Sequence, residues 1–224
     1  MKVIILCLLT ACAASAQELE PATARGILDK MISVYANCNT YSDTGVHIEL
    51  HLKSGFARQW SFSTAFVRPS KFRFAYEVIG TDESFEIYQD AVTVKSWFSP
   101  RHKVQFHESL DDAVEEAAGV SRLASVRVAS MLFGDLRQFK EMQIQNLSHL
   151  SLVGEEKLNG RPTYRIKGLD WRQYELTIWV DKETFLLLKT YQIILPATNP
   201  SDETTTYKPE INKDIPARKL AFKH

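Results

Sequence analysis

The chain has 224 residues, of which 45% are hydrophobic and 24% are charged, and its 27 Lys and Arg residues balance 27 Asp and Glu residues. This composition is ordinary for a packed globular protein with one sizeable domain. Nucleic-acid binders need a net basic surface to displace counterions, and a neutral chain does not supply one. We therefore expect no nucleic-acid partner.

The N-terminus has the anatomy of an export signal. Lys2 precedes an apolar run over residues 3–10, and small residues at 14–16 match a cleavage site. The run is shorter than the roughly 20 residues that a transmembrane helix needs. We expect a signal peptide at 1–16, a single mature domain at 17–224, and a periplasmic location with no transmembrane span.

The cysteines leave a second interpretation open. Residues 9–12 resemble a bacterial lipobox, in which Cys12 would be acylated and would anchor the protein to a membrane. Soluble export is favoured, because the apolar run before Cys12 is short and the 14–16 site follows closely. Cys38 is then the single remaining thiol, and we expect it to be structural because no flanking residue suggests an electropositive setting.

The predicted elements follow the hydrophobic periodicity along the chain. Apolar residues recur at helical spacing over 21–37, and the period then changes to two. A second helical region over 110–133 reads as two helices, or as one helix broken near Gly119. Strands are predicted at 46–52, 60–66, 72–78, 84–89, 91–98, 102–107, 150–157, 163–167, 171–180, 185–195, 204–211 and 219–222, with a polar linker over 196–203.

The hairpin around Arg68-Pro69 has an aromatic face. Side chains alternate between the two faces of a strand, so Trp60, Phe62 and Phe66 share one face. After the turn, Phe72, Phe74 and Tyr76 share a face in the same way, and Arg73 points away from it. Such a face covers either the protein's own helices or a bound apolar molecule.

The residues suited to catalysis or metal binding have simpler explanations. His47, Glu49 and His51 share one face of a strand, but the two histidines lie about 13 Å apart by strand rise, too far for one ion. We interpret them as a solvated face. The acidic pairs at 111–112 and 115–116 suit the start of a helix. The sequence has no nucleophile elbow and no phosphate-binding glycine loop, so we expect no enzyme activity, no metal and no cofactor.

Three segments carry a family resemblance. The strand and turn over 66–74, the strand and Asn-Gly turn over 153–164, and the strand, acidic turn and strand over 179–189 resemble the LolA/LolB-like superfamily. The most similar branch consists of predicted periplasmic, outer-membrane lipoprotein-sorting-like proteins. The resemblance implies a curved, incomplete antiparallel barrel closed by helices, with a cavity for acyl chains. It also implies an arginine near the strand turn that holds the closed state, and Arg68 is the residue at that place.

Together these observations predict an α+β protein: a strongly curved antiparallel sheet of about ten to eleven strands, covered by a few helices. The leading hypothesis is a periplasmic binding or carrier protein for lipid or for the acyl chains of a lipoprotein. The alternatives are an envelope interaction module that fills its own core and contacts a protein partner, and, more weakly, an envelope hydrolase. The predicted ligand-binding residues are Trp60, Phe62, Phe66, Arg68, Phe72, Phe74, Tyr76, Leu176 and Ile178.

Overall fold

The computed structural model describes residues 23–134, 136–195 and 200–224. The predicted signal peptide with Cys12, and residues 196–199 of the predicted linker, lie outside the described residues. The helices are α1 (Ala24–Asn37), α2 (Leu110–Val120) and α3 (Ala124–Phe133). The strands are β1 (Thr40–His51), β2 (Ala57–Val67), β3 (Lys71–Val78), β4 (Ser84–Gln89), β5 (Val94–Phe98), β6 (Lys103–His107), β7 (Ser148–Leu158), β8 (Arg161–Leu169), β9 (Glu175–Asp181), β10 (Leu187–Ile194), β11 (Ser201–Tyr207) and β12 (Glu210–Ile211).

The described strands form one antiparallel sheet. Its order is β6-β5-β4-β3-β2-β1-β11-β10-β9-β8-β7, and β12 pairs with the start of β1. The edge strands β6 and β7 do not pair with each other, so the sheet is an incomplete barrel. The predicted α+β class and the antiparallel arrangement are confirmed, with twelve strands rather than ten or eleven. We call the face that the helices cover the inner face.

Local sequence explains where the elements begin and end. Asn159 and Gly160 both have positive φ, of 51° and 83°, which a two-residue turn between β7 and β8 requires. The side chain of Ser109 caps α2, and Asp112 accepts a hydrogen bond from the Ser109 backbone in return. Gly134, with φ of 74°, ends α3. The helical region breaks between α2 and α3, just after Gly119, as predicted.

Three predicted strands differ from the structure, those at 171–180, 204–211 and 219–222. Strand β11 begins at Ser201, inside the predicted polar linker, and ends at Tyr207. Residues 170–173 form a turn, because the Asp170 side chain accepts hydrogen bonds from the backbone N–H groups of Arg172 and Tyr174, so β9 begins only at Glu175. The predicted last strand at 219–222 is absent: Ala217–Lys219 is a short 3₁₀ helix, and the following residues are not in the sheet. None of the described helices is both long and apolar enough to cross a membrane.

Candidate ligand-binding chamber

The predicted aromatic stripe lies on the inner face. Strand register places Phe62 opposite Tyr76 and Phe66 opposite Phe72, so the faces of the two strands coincide. All six predicted aromatic residues are at most 5% exposed, and they belong to the core that also contains the apolar residues of the helices. Arg73 lies on the other face, as predicted, and pairs there with Glu86 at 2.8 Å.

Helix α3 closes over this stripe through one ring. Phe133, its last residue, contacts Phe66 and Phe72 edge-to-face, with ring centroids 5.1 and 5.4 Å away. Aromatic rings favour this arrangement because a positive edge meets a negative face. The end of α3 is therefore held against the β2–β3 hairpin. We call the space between the inner face and helices α1 and α3 the chamber.

A glycine in β1 shapes the floor of the chamber. Gly45 lies opposite Phe62, and a Cβ atom at position 45 would be 2.1 Å from the Phe62 ring and 2.3 Å from the Thr206 backbone oxygen. Only hydrogen at this position lets the ring cross β1 and reach Tyr207 edge-on, at a centroid distance of 5.5 Å. The aromatic stripe thereby continues from β2 to β11.

The predicted residues Leu176 and Ile178 lie on β9, in the other half of the sheet. They are 4% and 0% exposed and share the same core cluster. Beside Leu176, between α3 and the ends of β9 and β10, the structure leaves a void of about 10 Å³. This is roughly the room of one water molecule. The protein's own buried side chains fill the described chamber, and the ligand-binding role of its residues stays a prediction.

Arg68 joins the helices to the hairpin. Its Nε atom donates to the carbonyl of Cys38 at 3.0 Å, and its Nη2 atom donates to the carbonyls of Ala36 at 2.7 Å and Leu132 at 3.3 Å. These carbonyls lie at the C-terminal ends of α1 and α3, where helices leave backbone acceptors unpaired and favour a positive charge. We call these three hydrogen bonds the Arg68 bridge.

The inner face of β1 corrects a prediction. His47 and Glu49 are 1% and 3% exposed, so the expected solvated face is in fact the buried one. Ile48 and Leu50, which the alternation suggested for the core, lie on the outer face, and Leu50 is 36% exposed. The reason is register: β1 aligns with β2 so that Tyr41 lies opposite Phe66 and His47 opposite Trp60.

An arginine of α3 makes this polar surface tolerable inside the protein. Arg127 is 5% exposed, and its Nη1 atom donates to the hydroxyl oxygens of Thr190 at 2.8 Å and Thr205 at 3.3 Å. Nδ1 of His47 lies 2.9 Å from the same Thr205 oxygen. Glu49 lies opposite the buried Glu203 across β1 and β11, and Arg122 approaches Glu49 at 3.2 Å. The chamber thus has an aromatic part and a polar part.

Burial shifts the pKa values of His47 and Glu203 in the polar part of the chamber. Desolvation, with the positive charges of Arg127 and Arg122, lowers the pKa of His47 to about 3, so this imidazole is neutral at neutral pH. Desolvation also raises the pKa of Glu203, against the opposing effect of the two arginines. Among the described residues, no three His, Cys, Asp or Glu side chains are placed to hold a metal ion.

A second buried acid stabilises the start of β1. Asp43 accepts a hydrogen bond from the Tyr41 hydroxyl at 2.6 Å and one from the Thr64 backbone at 2.9 Å. Desolvation outweighs these bonds and raises the pKa of Asp43 to about 6. Cys38, nearby at the end of α1, is 1% exposed, and burial raises the pKa of its thiol, which agrees with a structural cysteine.

Sequence reasoning placed His47 and Glu49 on a solvated face and did not single out Asp43, Glu203 or Arg127. Asp43, His47, Glu49 and Glu203 alternate with apolar or small residues on their strands, and parity alone does not say which set is buried. A usable signal was Arg127, since α3 is otherwise rich in apolar and small residues and is buried along nearly its whole length. A charge in such a helix requires buried polar partners on the sheet.

The outer face carries a separate pocket of about 500 Å³. Its floor consists of short side chains such as Ser61, Ser63 and Ala75, and residues 223–224 lie at its rim. His224 stacks on Trp97 with centroids 4.5 Å apart, and the Lys223 backbone N–H donates to Glu86 at 3.3 Å. Phe62 and Tyr76 of the predicted aromatic stripe are also among the residues that line this pocket.

An open antiparallel sheet with helices closing one face is the LolA/LolB-like fold that the sequence motifs predict. No protein-family model matches the chain, and no curated protein matches it. Solved structures do: a chain of the Pseudomonas aeruginosa MucA/MucB complex is 15% identical with a TM-score of 0.50, over 89% of this chain and 61% of that chain. The present chain therefore spans less than two thirds of that protein.

Two further structures are similar over most of their own length. The Mycobacterium tuberculosis lipoprotein LppX is 11% identical, with a TM-score of 0.49, over 86% of this chain and 97% of that chain. A LolA superfamily protein from Nitrosomonas europaea is 9% identical, with a TM-score of 0.40, over 90% of this chain and 98% of that chain. At these identities the similarity is one of fold alone.

Proposed function

We propose that this protein is a non-catalytic binding or carrier protein of the cell envelope for an apolar ligand, such as lipid or the acyl chains of a lipoprotein. The Arg68 bridge is the observation that carries the proposal. A single residue of the aromatic hairpin holds the ends of both covering helices. Loss of those three bonds would free the C-terminal ends of α1 and α3 together and uncover the predicted ligand-binding residues of the hairpin.

The energies favour opening in the presence of a ligand. Hydrogen bonds from a charged group contribute about 1.5–3 kcal/mol each, and less where the group is partly solvated, as Arg68 is. Burying one methylene group contributes about 0.8 kcal/mol, so a chain of about 14 methylenes gains roughly 11 kcal/mol. A long acyl chain can therefore offset loss of the bridge and of part of the helix packing, whereas a short apolar molecule cannot.

The ligand would lie where the helices now cover the inner face. Its contacts would be the aromatic stripe of β2 and β3 on one side and Leu176 and Ile178 on the other. Export by a signal peptide at 1–16 and a single mature domain at 17–224 complete the proposal, with acylation of Cys12 as the alternative route to the envelope. These parts rest on the sequence.

A second candidate function is an envelope interaction module that binds a protein partner and keeps its core filled. Two observations favour it. The chamber is filled by the protein's own side chains in this conformation, and the similar MucB chain was solved in a complex with MucA. In this case α1 and α3 would not move, and the Arg68 bridge would serve stability alone.

Solvent extraction and mass spectrometry of protein purified from the periplasm distinguish the two candidates. Copurified lipid or lipoprotein supports a carrier. The neutral dye N-phenyl-1-naphthylamine provides a second measurement: Arg68→Met should bind more dye than the wild type, because the helices are released. Lys71→Met changes an exposed basic residue at the start of β3, directly after the same turn; it is the matched control and should leave dye binding unchanged.

One combination of results would contradict the carrier function. If the purified protein carries no lipid, and if Arg68→Met lowers the melting temperature but binds no dye, the carrier function is wrong. The interaction module would then be the better explanation.

A further inference from the structure

The hydroxyls of Tyr76 and Tyr207 on the aromatic stripe lack a hydrogen-bond partner, and so do three neighbouring buried polar atoms at the Trp60 end of the chamber. These three atoms are Nε2 of His47, Oε2 of Glu49 and Nε1 of Trp60, on side chains that are 1%, 3% and 3% exposed. An unpaired buried polar group costs about 1–3 kcal/mol, so native proteins seldom keep several together without a partner. These three residues occupy neighbouring places on the inner face of β1 and β2.

Their positions are set by the sheet. His47 lies directly opposite Trp60, with ring centroids 5.0 Å apart, and Glu49 is the next inward-facing residue along β1. Trp60 also begins the aromatic stripe that runs along β2 to Phe66. Six residues of strand span about 20 Å. These three unpaired atoms therefore lie at one end of an apolar path, and the Arg68 bridge lies at the other.

The hydrogen-bond network indicates which of these atoms donate. The Thr205 oxygen accepts a hydrogen bond from Arg127, so its own hydroxyl proton is available for Nδ1 of His47. This assignment leaves the imidazole proton on Nε2, which is then a donor. The indole N–H of Trp60 is also a donor. Glu49 offers a carboxylate oxygen, so the site presents two donors and one acceptor.

The charges around the site favour a neutral group. Two arginines, Arg122 and Arg127, face two glutamates, Glu49 and Glu203, and Nε2 of His51, the next residue on the same face of β1, lies 3.8 Å from Oε2 of Glu49, beyond hydrogen-bond distance. A ligand with a net charge would leave that charge buried without a counterion. A hydroxyl or amide group accepts from the two donors, donates to Glu49, and adds no charge.

We propose that His47, Glu49 and Trp60 form a polar subsite that binds the hydroxyl or amide head of a neutral amphiphile, whose acyl chain lies along the aromatic stripe. The inference rests on the proposed carrier function and specifies its ligand class. The three unpaired atoms are its main support, and the length and direction of the apolar path agree with it. Arg122, in the turn between α2 and α3, covers Glu49 and would lie beside the bound head.

A ligand series with one acyl chain tests the subsite. Monooleoylglycerol and oleamide carry donor and acceptor groups, methyl oleate carries acceptors alone, and oleate carries a charge. Displacement of N-phenyl-1-naphthylamine at about pH 7.5 measures the relative affinity of each. We expect the first two ligands to compete at about three- to tenfold lower concentration than the other two, the range that one or two hydrogen bonds supply.

Three variants test whether the preference for monooleoylglycerol and oleamide depends on the residues of the subsite. Trp60→Phe removes the indole donor, keeps an aromatic ring, and should abolish the advantage of monooleoylglycerol over methyl oleate. Trp97→Phe, the same change on the outer face, should leave it intact. Glu49→Gln removes the negative charge and should improve binding of oleate relative to monooleoylglycerol. Thermal melting verifies that each variant folds. If Trp60→Phe does not fold, the subsite is tested by Glu49→Gln and by the ligand series with the wild-type protein.

The failures are distinguishable. If all four ligands displace the dye from the wild-type protein at equal concentrations, the subsite is wrong, because trapped water then satisfies the three atoms. The carrier function would still stand. A preference that survives in both Trp60→Phe and Glu49→Gln overturns the subsite as well. If none of the ligands displaces or replaces the dye, the carrier function itself fails.

Discussion

Gly45→Ala is the substitution for which the structure makes the sharpest prediction. The added Cβ atom would lie 2.1 Å from the Phe62 ring and 2.3 Å from the Thr206 backbone oxygen, and both distances are far below van der Waals contact. The backbone oxygen belongs to β11, the strand paired with β1, so it cannot move without disturbing the sheet. The Phe62 ring must therefore leave its place, or β1 and β11 must separate.

Either response is costly. Loss of a buried Phe ring from its contacts costs about 3–5 kcal/mol in Phe→Ala substitutions, and an overpacked core typically loses about 1–3 kcal/mol. Phe62 is 5% exposed and contacts both Phe74 and Tyr207. We expect Gly45→Ala to lower the free energy of unfolding by about 3 kcal/mol or more. This is a large part of the 5–15 kcal/mol of a typical domain.

Gly119→Ala provides the matched control. Gly119 lies in α2, and a Cβ atom there would meet nothing within 4 Å. Alanine is the better helix former by up to about 1 kcal/mol, so the same chemical change should raise stability slightly. Urea unfolding of the mature chain, followed by tryptophan fluorescence, measures both variants. A Gly45→Ala protein within about 1 kcal/mol of the wild type would refute the reasoning about the chamber floor.

Three further predictions concern the acid of β1, the end of α3 and the start of α2. Burial holds the pKa of Asp43 at about 6 in the folded state, above its ordinary value of 3.8. The raised pKa means that Asp43 contributes stability at low pH, which is lost as the pH rises from about 4 to about 6. The Asn side chain does not titrate, so the free energy of unfolding of Asp43→Asn should rise by about 3 kcal/mol relative to that of the wild type as the pH increases over this range. Urea unfolding at several pH values measures it, and a difference between the two proteins that does not change with pH would contradict the burial argument. Phe133→Ala removes the ring between Phe66 and Phe72. We expect the free energy of unfolding to fall by about 2 kcal/mol, since the ring is only partly buried, and dye binding to increase. Unchanged stability would exclude a role of Phe133 in closure. Ser109→Ala removes the α2 cap and should cost about 1 kcal/mol in thermal unfolding, without the increase in dye binding expected of Phe133→Ala.

Much of the fold could be predicted from local pattern. The hairpin of β2 and β3 has period-two aromatic residues on both sides of a Pro-containing turn, and Asn159-Gly160 is a strong turn signal. The helices were also recognisable, because α1 and the α2–α3 region have apolar residues at helical spacing. The errors occur where side chains decide a boundary, as at Asp170, whose carboxylate forms the turn before β9.

The candidate site was predictable only in its apolar part. The aromatic residues of β2 and β3 are buried on one face, as parity required, and Leu176 and Ile178 are buried in the other half of the sheet. The family resemblance pointed to Arg68 itself, but the partners of the Arg68 bridge lie 30 or more positions away in sequence, so no local pattern contains them.

The sequence by itself determined the period of each strand, the turns between strands and the aromatic face of the first hairpin, because these depend on neighbouring residues. The tertiary structure decided which face of β1 is buried. Local hydrophobicity favoured Ile48 and Leu50, yet register with β2 places His47 and Glu49 inside, next to Trp60. That arrangement is stable because Arg127 of α3, Thr190 of β10 and Thr205 of β11 meet there in space, and only the folded sheet brings them together.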